Sequence, residues 1–279
     1  MRALDVVKGK KLVLIPPTTT IRKALIIMNN NQFRRLPVAN PGSKKLEGII
    51  TAMDIVNFIG GGDKYNLIRE KHNRNFYHAI NDKVKEIMTK DVVTLSENAD
   101  IDEAIETFLE KNVGGVPIVN KDNKILGVIT ERDVIKTLID KIDEDTTIDK
   151  YTTKKVICAT PGERLKDVAR TMVRNKFRRL PVVREEKLVG IITTTDFIKL
   201  LGSDWAFEKL KTGNVREITN VRMEEIMAKN VITTNEEAKL KDVAKIMIEK
   251  NVGAIPVVDD DNKLIGIITE KDVIRYFAE

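Results

Sequence analysis

The feature of this chain that most constrains its fold is a short phrase that occurs four times. Each copy consists of an apolar run, a threonine, two variable residues and an aspartate. The copies lie at residues 48–54, 127–133, 190–196 and 266–272. A proline opens a second apolar run before each of them, at Pro37, Pro117, Pro181 and Pro256. Such a pattern is typical of an array of one small structural unit.

The copies are of two kinds that alternate along the chain. The first and third share the phrase Phe-Arg-Arg-Leu-Pro-Val, at residues 33–38 and 177–182. The second and fourth share Glu-Lys-Asn-Val-Gly, at residues 110–114 and 249–253. The aspartates at positions 54 and 196 are 142 residues apart, and those at 133 and 272 are 139 apart. The sequence therefore consists of a pair of copies that has itself been duplicated.

The second copy shows the predicted secondary structure most clearly. The β-branched residues 92–94 predict a strand, and the apolar spacing over 101–109 predicts a helix. Residues 117–119 and 125–129 predict two strands around a turn at 120–123, and a second amphipathic helix follows Thr130. The order is β-α-β-β-α, an α/β (α+β) class. One such unit has too small a core to be stable alone, so we expect neighbouring copies to pair.

Composition shifts divide the 279-residue chain into repeats and linkers. We predict repeats at 1–60, 84–140, 150–202 and 223–279, with linkers at 61–83, 141–149 and 203–222. The linker at 141–149 would separate the two halves. Three glycines at 60–62, followed by Asp63 and Lys64, lack the spacing of a phosphate-binding loop and predict a flexible linker.

Composition excludes several classes of protein. The single cysteine, Cys158, cannot form an internal disulfide, and with only two histidines we expect no metal site. No apolar stretch is long enough for a membrane helix, so we expect a cytoplasmic protein without a membrane partner. The net charge of +6 is small beside 48 basic and 42 acidic residues, and the aromatic residues are scattered, which argues against a nucleic-acid partner.

The repeated phrases resemble the CBS (cystathionine β-synthase) domain over nearly the whole chain. Two CBS copies normally form a Bateman module. Four copies with nothing else attached resemble the gamma subunit of AMP-activated protein kinase and its archaeal relatives. The resemblance implies a disk-like assembly of two modules, with clefts between paired repeats that bind adenosine nucleotides.

The resemblance implies a role for the aspartate and threonine of each copy. A carboxylate can accept a charge-assisted hydrogen bond from each of the two vicinal hydroxyls of a ribose. An aspartate at the start of a helix also favours the helix itself. The resemblance assigns sugar or phosphate contacts to Asp54, Asp133, Asp196 and Asp272 and to Thr51, Thr130, Thr193 and Thr269.

Basic residues of the same phrases match the family's phosphate ligands, because arginine offers a rigid fork of donors to a phosphate. They are Arg34, Arg35, Arg178 and Arg179 before the prolines, and Arg132 and Lys271 before the aspartates. Where the odd copies have these arginine pairs, the even copies have small residues, which we expect to leave room for a phosphate group. The resemblance places the adenine against the backbone of Val13, Val93, Ile157 and Ile232.

These observations predict a non-catalytic regulatory protein that senses energy state by competitive binding of AMP, ADP and ATP, with no catalytic cofactor. Its partner would be an unidentified regulated protein or a second copy of itself. One alternative keeps the fold and changes the ligand to S-adenosylmethionine or methylthioadenosine. A nucleic-acid-binding regulator is a second alternative. An enzyme is a third, and it would need a set of metal-binding carboxylates.

Overall fold

A computed structural model describes residues 1–279 and contains four copies of one unit, in which two helices flank a β-hairpin. The first half of the chain contains α1 (Ala3–Val6), α2 (Ile21–Asn31), β1 (Arg35–Ala39), β2 (Leu46–Thr51), α3 (Ala52–Val56), α4 (Phe76–Ile80), β3 (Leu95–Ser96), α5 (Ile101–Glu110), β4 (Gly115–Val119), β5 (Ile125–Thr130) and α6 (Glu131–Leu138). Repeat 1 comprises α2–α3, and repeat 2 comprises β3–α6. Short 3₁₀ or π-helical turns lie at 57–61, 63–65, 67–71, 84–86 and 139–141.

The second half repeats this order. It contains α7 (Leu165–Asn175), β6 (Arg179–Arg184), β7 (Lys187–Thr193), α8 (Thr194–Gly202), α9 (Trp205–Lys209), α10 (Arg216–Thr219), α11 (Met223–Ile226), α12 (Leu240–Glu249), β8 (Ala254–Val258), β9 (Leu264–Thr269) and α13 (Glu270–Ala278). Repeat 3 comprises α7–α8, and repeat 4 comprises α12–α13. No helix is long and apolar enough to cross a membrane.

The opening strand of each repeat is shorter than predicted. The prediction of a strand at 92–94 is wrong, because pairing begins only at Leu95 and lasts two residues. In repeat 1 the opening segment makes a single bridge, in which Ile15 donates to the carbonyl of Pro37 and accepts from the N–H of Ala39. The carbonyl of Val13 would next need the N–H of residue 37, which proline lacks. The repeated proline therefore ends the pairing.

Two hydrophobic cores hold the fold together, and each combines one repeat from each half of the chain. The first core joins repeats 1 and 3, with α2 packed on α8 and α3 on α7 and α8. The second core joins repeats 2 and 4, with α13 packed on α5 and α6. The linkers at 61–83 and 203–222 add buried side chains to the first core, whereas α1 adds Ala3 to the second.

Within each half the two repeats meet through their hairpins. Isolated bridges join Ile49 to Thr89 and Lys45 to Lys124 in the first half. Matching bridges join Ile191 to Ala228 and Lys187 to Lys263 in the second half. Together with the two cores, these contacts form a closed cycle of repeats in the order 1, 2, 4 and 3.

Two segments predicted as linkers are ordered parts of the structure. The glycines at 60–62 are not a flexible linker, because the turn at 57–61 packs against α7. A Cβ at Gly61 would lie 2.5 Å from Cγ2 of Val173 and 2.8 Å from the carbonyl of Val56, so only glycine allows this approach. At the boundary between the halves, Ile142 and Ile148 are buried in the second core.

Candidate functional site

A cavity of about 800 Å³ lies where the four repeats meet. This volume is at the large end of the range of small-molecule sites. The wall includes residues 10–13 and 32–35 of repeat 1 and its N-terminal arm, Gly114, Thr130 and Arg132 of repeat 2, residues 178–179 and 193–196 of repeat 3, and residues 230–232, 250–254 and Glu270 at repeat 4. The cavity therefore belongs to the assembled chain and not to a single repeat.

The arginine pairs of the odd repeats enter this cavity from opposite halves of the chain. Each pair lies at the start of a strand, β1 or β6, directly after the loop that follows the preceding helix. Arg178 binds both carboxylate oxygens of Glu131, at 3.1 and 3.2 Å. Arg34 binds Glu270 at 3.2 Å, and Arg132 binds the other oxygen of Glu270 at 2.5 Å. These ion pairs cross between the halves.

Two of the central arginines have no carboxylate partner. Arg35 donates to the carbonyl of Gly114 at 2.8 Å, and the guanidinium of Arg179 makes no hydrogen bond to the protein. Burial and the nearby charge of Arg178 lower the pKa of Arg35 to about 10. Burial, Arg178 and Arg34 lower the pKa of Arg179 to about 10 as well. The cavity thus holds positive charge that the protein itself does not neutralise.

The other charges of the centre confirm a cationic excess. The Nη2 atom of Arg132 is buried without a hydrogen-bond partner. Burial by itself would raise the pKa of Glu270, but Arg34, Arg132 and Arg179 hold it below its usual value. Among these groups alone, five arginines and two glutamates leave an excess of three positive charges, and Lys11, Lys199 and Lys250 add positive charge at the wall beside the carboxylate of Asp196.

Glycines of the even repeats make this density of charge sterically allowed. A Cβ at Gly114 would collide with the guanidinium of Arg178, and one at Gly115 with that of Arg35. A Cβ at Gly253 would lie 3.0 Å from nitrogens of Arg34 and Arg179. The small residues were expected to leave room for a phosphate group. In the structure they make room for the guanidinium groups themselves.

The aspartate and threonine of each repeated phrase form a capping box at the start of a helix. The threonine is the N-cap residue, and the aspartate at N3 accepts the backbone N–H and hydroxyl of that threonine on one carboxylate oxygen. The hydroxyl–carboxylate distances lie between 2.7 and 2.8 Å. The four pairs are Thr51–Asp54, Thr130–Asp133, Thr193–Asp196 and Thr269–Asp272. The second oxygen of each aspartate remains available for another partner.

The partner of that second oxygen differs among the four repeats. Asp54 is ion-paired with Lys64 and accepts the hydroxyl of Thr89 at 3.1 Å. Asp133 binds Lys10 at 2.7 Å, and Asp272 binds Arg275 at 2.7 Å. Asp196 alone has no protein partner on this oxygen, and it lines the central cavity.

The sequence explains why Asp54 and Asp196 differ. The bridge residue that donates to Asp54 is Thr89, and its counterpart beside repeat 3 is Ala228, which has no hydroxyl. Lys64 follows Asp54 by ten residues, and Ala206 stands at the same distance after Asp196. Burial raises the pKa of Asp272, although Thr269 and Arg275 oppose this rise. Asp196 is therefore the most accessible carboxylate for a ligand.

Two of the four predicted adenine positions line the cavity, namely Val13 and Ile232. Each lies two residues before the bridge that closes its segment against the following strand, where the proline leaves the backbone unpaired. Val93 and Ile157 occupy the same register in repeats 2 and 3 but lie outside the wall of this cavity, and Ile157 is 44% exposed.

Lys271 lies outside the wall of the cavity and donates to Asn112 at 2.6 Å. Arg132 makes the reciprocal contact with Asn251 across the interface of repeats 2 and 4. The phosphate contact expected of Lys271 stays a prediction.

The charged residues of the site that the sequence interpretation missed include Glu131, Glu270, Lys10 and Lys64. The first two had a visible signal, because the even repeats have glutamate directly after the threonine, where the odd repeats have Ala52 and Thr194. The two lysines lie outside the repeated phrases and gave none. No group of three His, Cys, Asp or Glu residues is arranged to hold a metal ion.

Comparison with known proteins assigns the family. The sequence profile of the CBS domain matches residues 5–61, 84–140, 143–203 and 223–279. The chain belongs to the CBS-domain family. These four CBS domains confirm the predicted family and fold class.

The CBS-domain chain is 67% identical over 278 residues to the uncharacterized protein MJ1225 of Methanocaldococcus jannaschii, covering 100% of this chain and 99% of that protein. A crystal structure of MJ1225, described as a proposed archaeal homologue of g-AMPK, superposes with a TM-score of 0.97 over 100% of both chains. An uncharacterized 33.4 kDa protein of Thermofilum pendens is 26% identical, covering 98% of this chain and 91% of that protein. An uncharacterized conserved protein of Pyrococcus horikoshii, 23% identical with a TM-score of 0.60 over 99% of both chains, shares the fold.

Proposed function

We propose that this CBS-domain protein binds AMP, ADP and ATP in competition within its central cavity and acts as a regulator of energy state without chemistry of its own. One observation carries this proposal. The open carboxylate of Asp196 lines the same cavity as Arg35 and Arg179, the two arginines without a carboxylate partner. A ribose and a phosphate group are the complementary parts of a nucleotide.

Each part of an adenosine nucleotide has a matching group in the wall. The vicinal ribose hydroxyls can donate to the free oxygen of Asp196, which Thr193 holds in place. The unpaired backbone at Ile232 can contact the edge of the adenine. The phosphate would then neutralise Arg179 and the orphaned donor of Arg132.

The ion pairs of the centre supply a route from binding to regulation. Arg178 and Glu131 belong to different halves of the chain, as do Arg34 and Glu270. A phosphate that competes for these arginines changes the ion pairs that join the two halves. A regulated protein or a second copy of the chain can then bind one arrangement of the halves in preference to the other. The shift cannot exceed the difference in the ligand's affinity for the two arrangements.

The alternative functions fit the cavity less well. S-adenosylmethionine and methylthioadenosine carry no phosphate, so they leave most of the cationic excess without a counterion. Arg35 and Arg179 lie in the wall of a concave cavity of about 800 Å³, a shape that suits a small ligand better than the extended backbone of a nucleic acid. The charge that the protein leaves unpaired therefore favours a small phosphorylated ligand.

Calorimetric titration of nucleotide-free protein tests the proposal. We expect AMP, ADP and ATP to bind more tightly than adenosine, S-adenosylmethionine or methylthioadenosine. The variant Arg179→Ala should lose affinity for AMP by about 10- to 100-fold, since a hydrogen bond to a charged group contributes roughly 1.5–3 kcal/mol. Asp196→Ala should weaken AMP and adenosine alike. The control Arg174→Ala removes an exposed arginine of α7 and should change nothing.

Two results would overturn this function. Binding of S-adenosylmethionine or methylthioadenosine in preference to every phosphorylated ligand would keep the fold and discard the ligand class. Equal loss of AMP binding in Arg174→Ala and Arg179→Ala would show that net charge, and not this cavity, governs binding.

A further inference from the structure

Glu131 and Glu270 are buried carboxylates that are not among the groups proposed to bind the ribose, the phosphate or the adenine. Each is the first residue of its helix, α6 or α13, and follows the capping threonine. The corresponding residues of the odd repeats are Ala52 and Thr194, which carry no charge. Negative charge at this position is therefore confined to the even repeats.

These carboxylates bind the same arginine side chains that face the cavity. Glu131 occupies two nitrogens of Arg178, and Glu270 is shared between Arg34 and Arg132. A carboxylate and a phosphate present similar pairs of oxygens to a guanidinium. The glutamates and an incoming phosphate therefore compete for the same donors.

We infer that Glu131 and Glu270 are specificity-determining residues that limit how many phosphate groups the cavity accepts, an inference that rests on the proposed function. With both glutamates present, the five central arginines have an excess of three positive charges over these two carboxylates. AMP carries about two negative charges near neutral pH and ATP about four. AMP can be compensated by the arginines that no glutamate binds. The additional phosphates of ATP gain more of the central arginines only by displacing a glutamate, and otherwise depend on the more flexible lysines of the wall, Lys11, Lys199 and Lys250.

The ratio of ATP affinity to AMP affinity measures this effect directly. The variants Glu131→Gln and Glu270→Gln keep the side-chain shape and remove one negative charge each. We expect the ratio to rise about tenfold or more in each variant, because an extra unit of positive charge favours the more highly charged ligand. Titrations are done by calorimetry without divalent cations. The control Glu47→Gln makes the same charge change at an exposed residue of β2 and should leave the ratio unchanged.

A double variant that leaves the net charge unchanged distinguishes an effect of charge from a loss of structure in the single variants. Glu131→Gln combined with Arg178→Met removes the whole ion pair, so the excess stays at three and the ratio should return close to that of the wild type. A rise as large as in Glu131→Gln alone would overturn the inference. So would a wild-type ratio in both glutamine variants while AMP still binds. If neither AMP nor ATP binds the wild-type protein, the proposed function itself fails, and the inference fails with it.

Discussion

Arg178 and Arg179 are neighbours in sequence, yet the structure gives their charges opposite surroundings. Arg178 is bound by both oxygens of Glu131, which raises its pKa above the usual value although burial opposes this. Burial and nearby arginines lower the pKa of Arg179 to about 10. The protonated form of Arg179 is therefore less stable in the folded chain than in the unfolded chain at neutral pH.

The variant Arg179→Met should raise the stability of the nucleotide-free protein. It removes an uncompensated charge and leaves no carboxylate unpaired, so we expect a gain of about 0.5–2 kcal/mol. This corresponds to a rise in Tm of about 1–5 °C, measured by scanning calorimetry. The matched control is Arg178→Met, which leaves the buried carboxylate of Glu131 without its ion-pair partner and should lower the Tm. A fall in Tm for both variants would contradict the interpretation that the charge of Arg179 serves ligand binding and destabilises the nucleotide-free protein.

At the residue scale, the repeated phrases predicted which side chains enter the cavity but not their partners. The arginine pairs stood out because an identical six-residue phrase recurs at 33–38 and 177–182. The binding of Lys10 to Asp133 joins residues 123 positions apart and depends on the path of the N-terminal arm. No local pattern contains that information, since periodicity reports only which face of an element is buried.

At the scale of single elements, the capping box and the proline explain most of the local geometry. The capping box holds each aspartate at N3 of a helix. The proline in the first strand of each hairpin lacks an N–H and so ends the pairing of the opening segment with that strand. The sequence predicted the helices and hairpins from their periods. It overpredicted the opening strand, because β-branched residues at 92–94 favour a strand whether or not a donor exists to pair with them.

The turn that carries Lys64 closes the Asp54 position, and Lys64→Ala should open it. Removal of the lysine leaves this oxygen of Asp54 with only the hydroxyl of Thr89, which a ribose hydroxyl can join or replace, while Thr51 still holds the other oxygen. We expect one additional nucleotide to bind per chain at saturation, measured by calorimetric stoichiometry. The control Lys85→Ala removes an exposed lysine of the turn at 84–86, just after this linker. An unchanged stoichiometry in Lys64→Ala would show that the Asp54 position cannot accept a ribose even when open.

At the scale of the whole molecule, the duplication in the sequence does not coincide with the cores. The sequence halves are repeats 1 and 2 and repeats 3 and 4, whereas the cores join repeats 1 and 3 and repeats 2 and 4. Amphipathic periodicity identifies the apolar face of each helix but not the helix against which it packs. Sequence analysis therefore could not predict which repeats share a hydrophobic core.

The shared cores predict how half of the chain would behave. Residues 1–142 alone would expose the faces of α2 and α3 that cover repeat 3, and those of α5 and α6 that cover repeat 4. A lone half therefore cannot be a stable monomer, and we expect it to associate with a second copy of the same fragment. In that dimer, two copies of repeat 1 would pack together as repeats 1 and 3 do in the full chain. Light scattering should give twice the mass of the fragment, and mixing it with residues 143–279 should restore a one-to-one complex. A monomeric fragment with cooperative thermal unfolding would mean that either core can form from a single repeat.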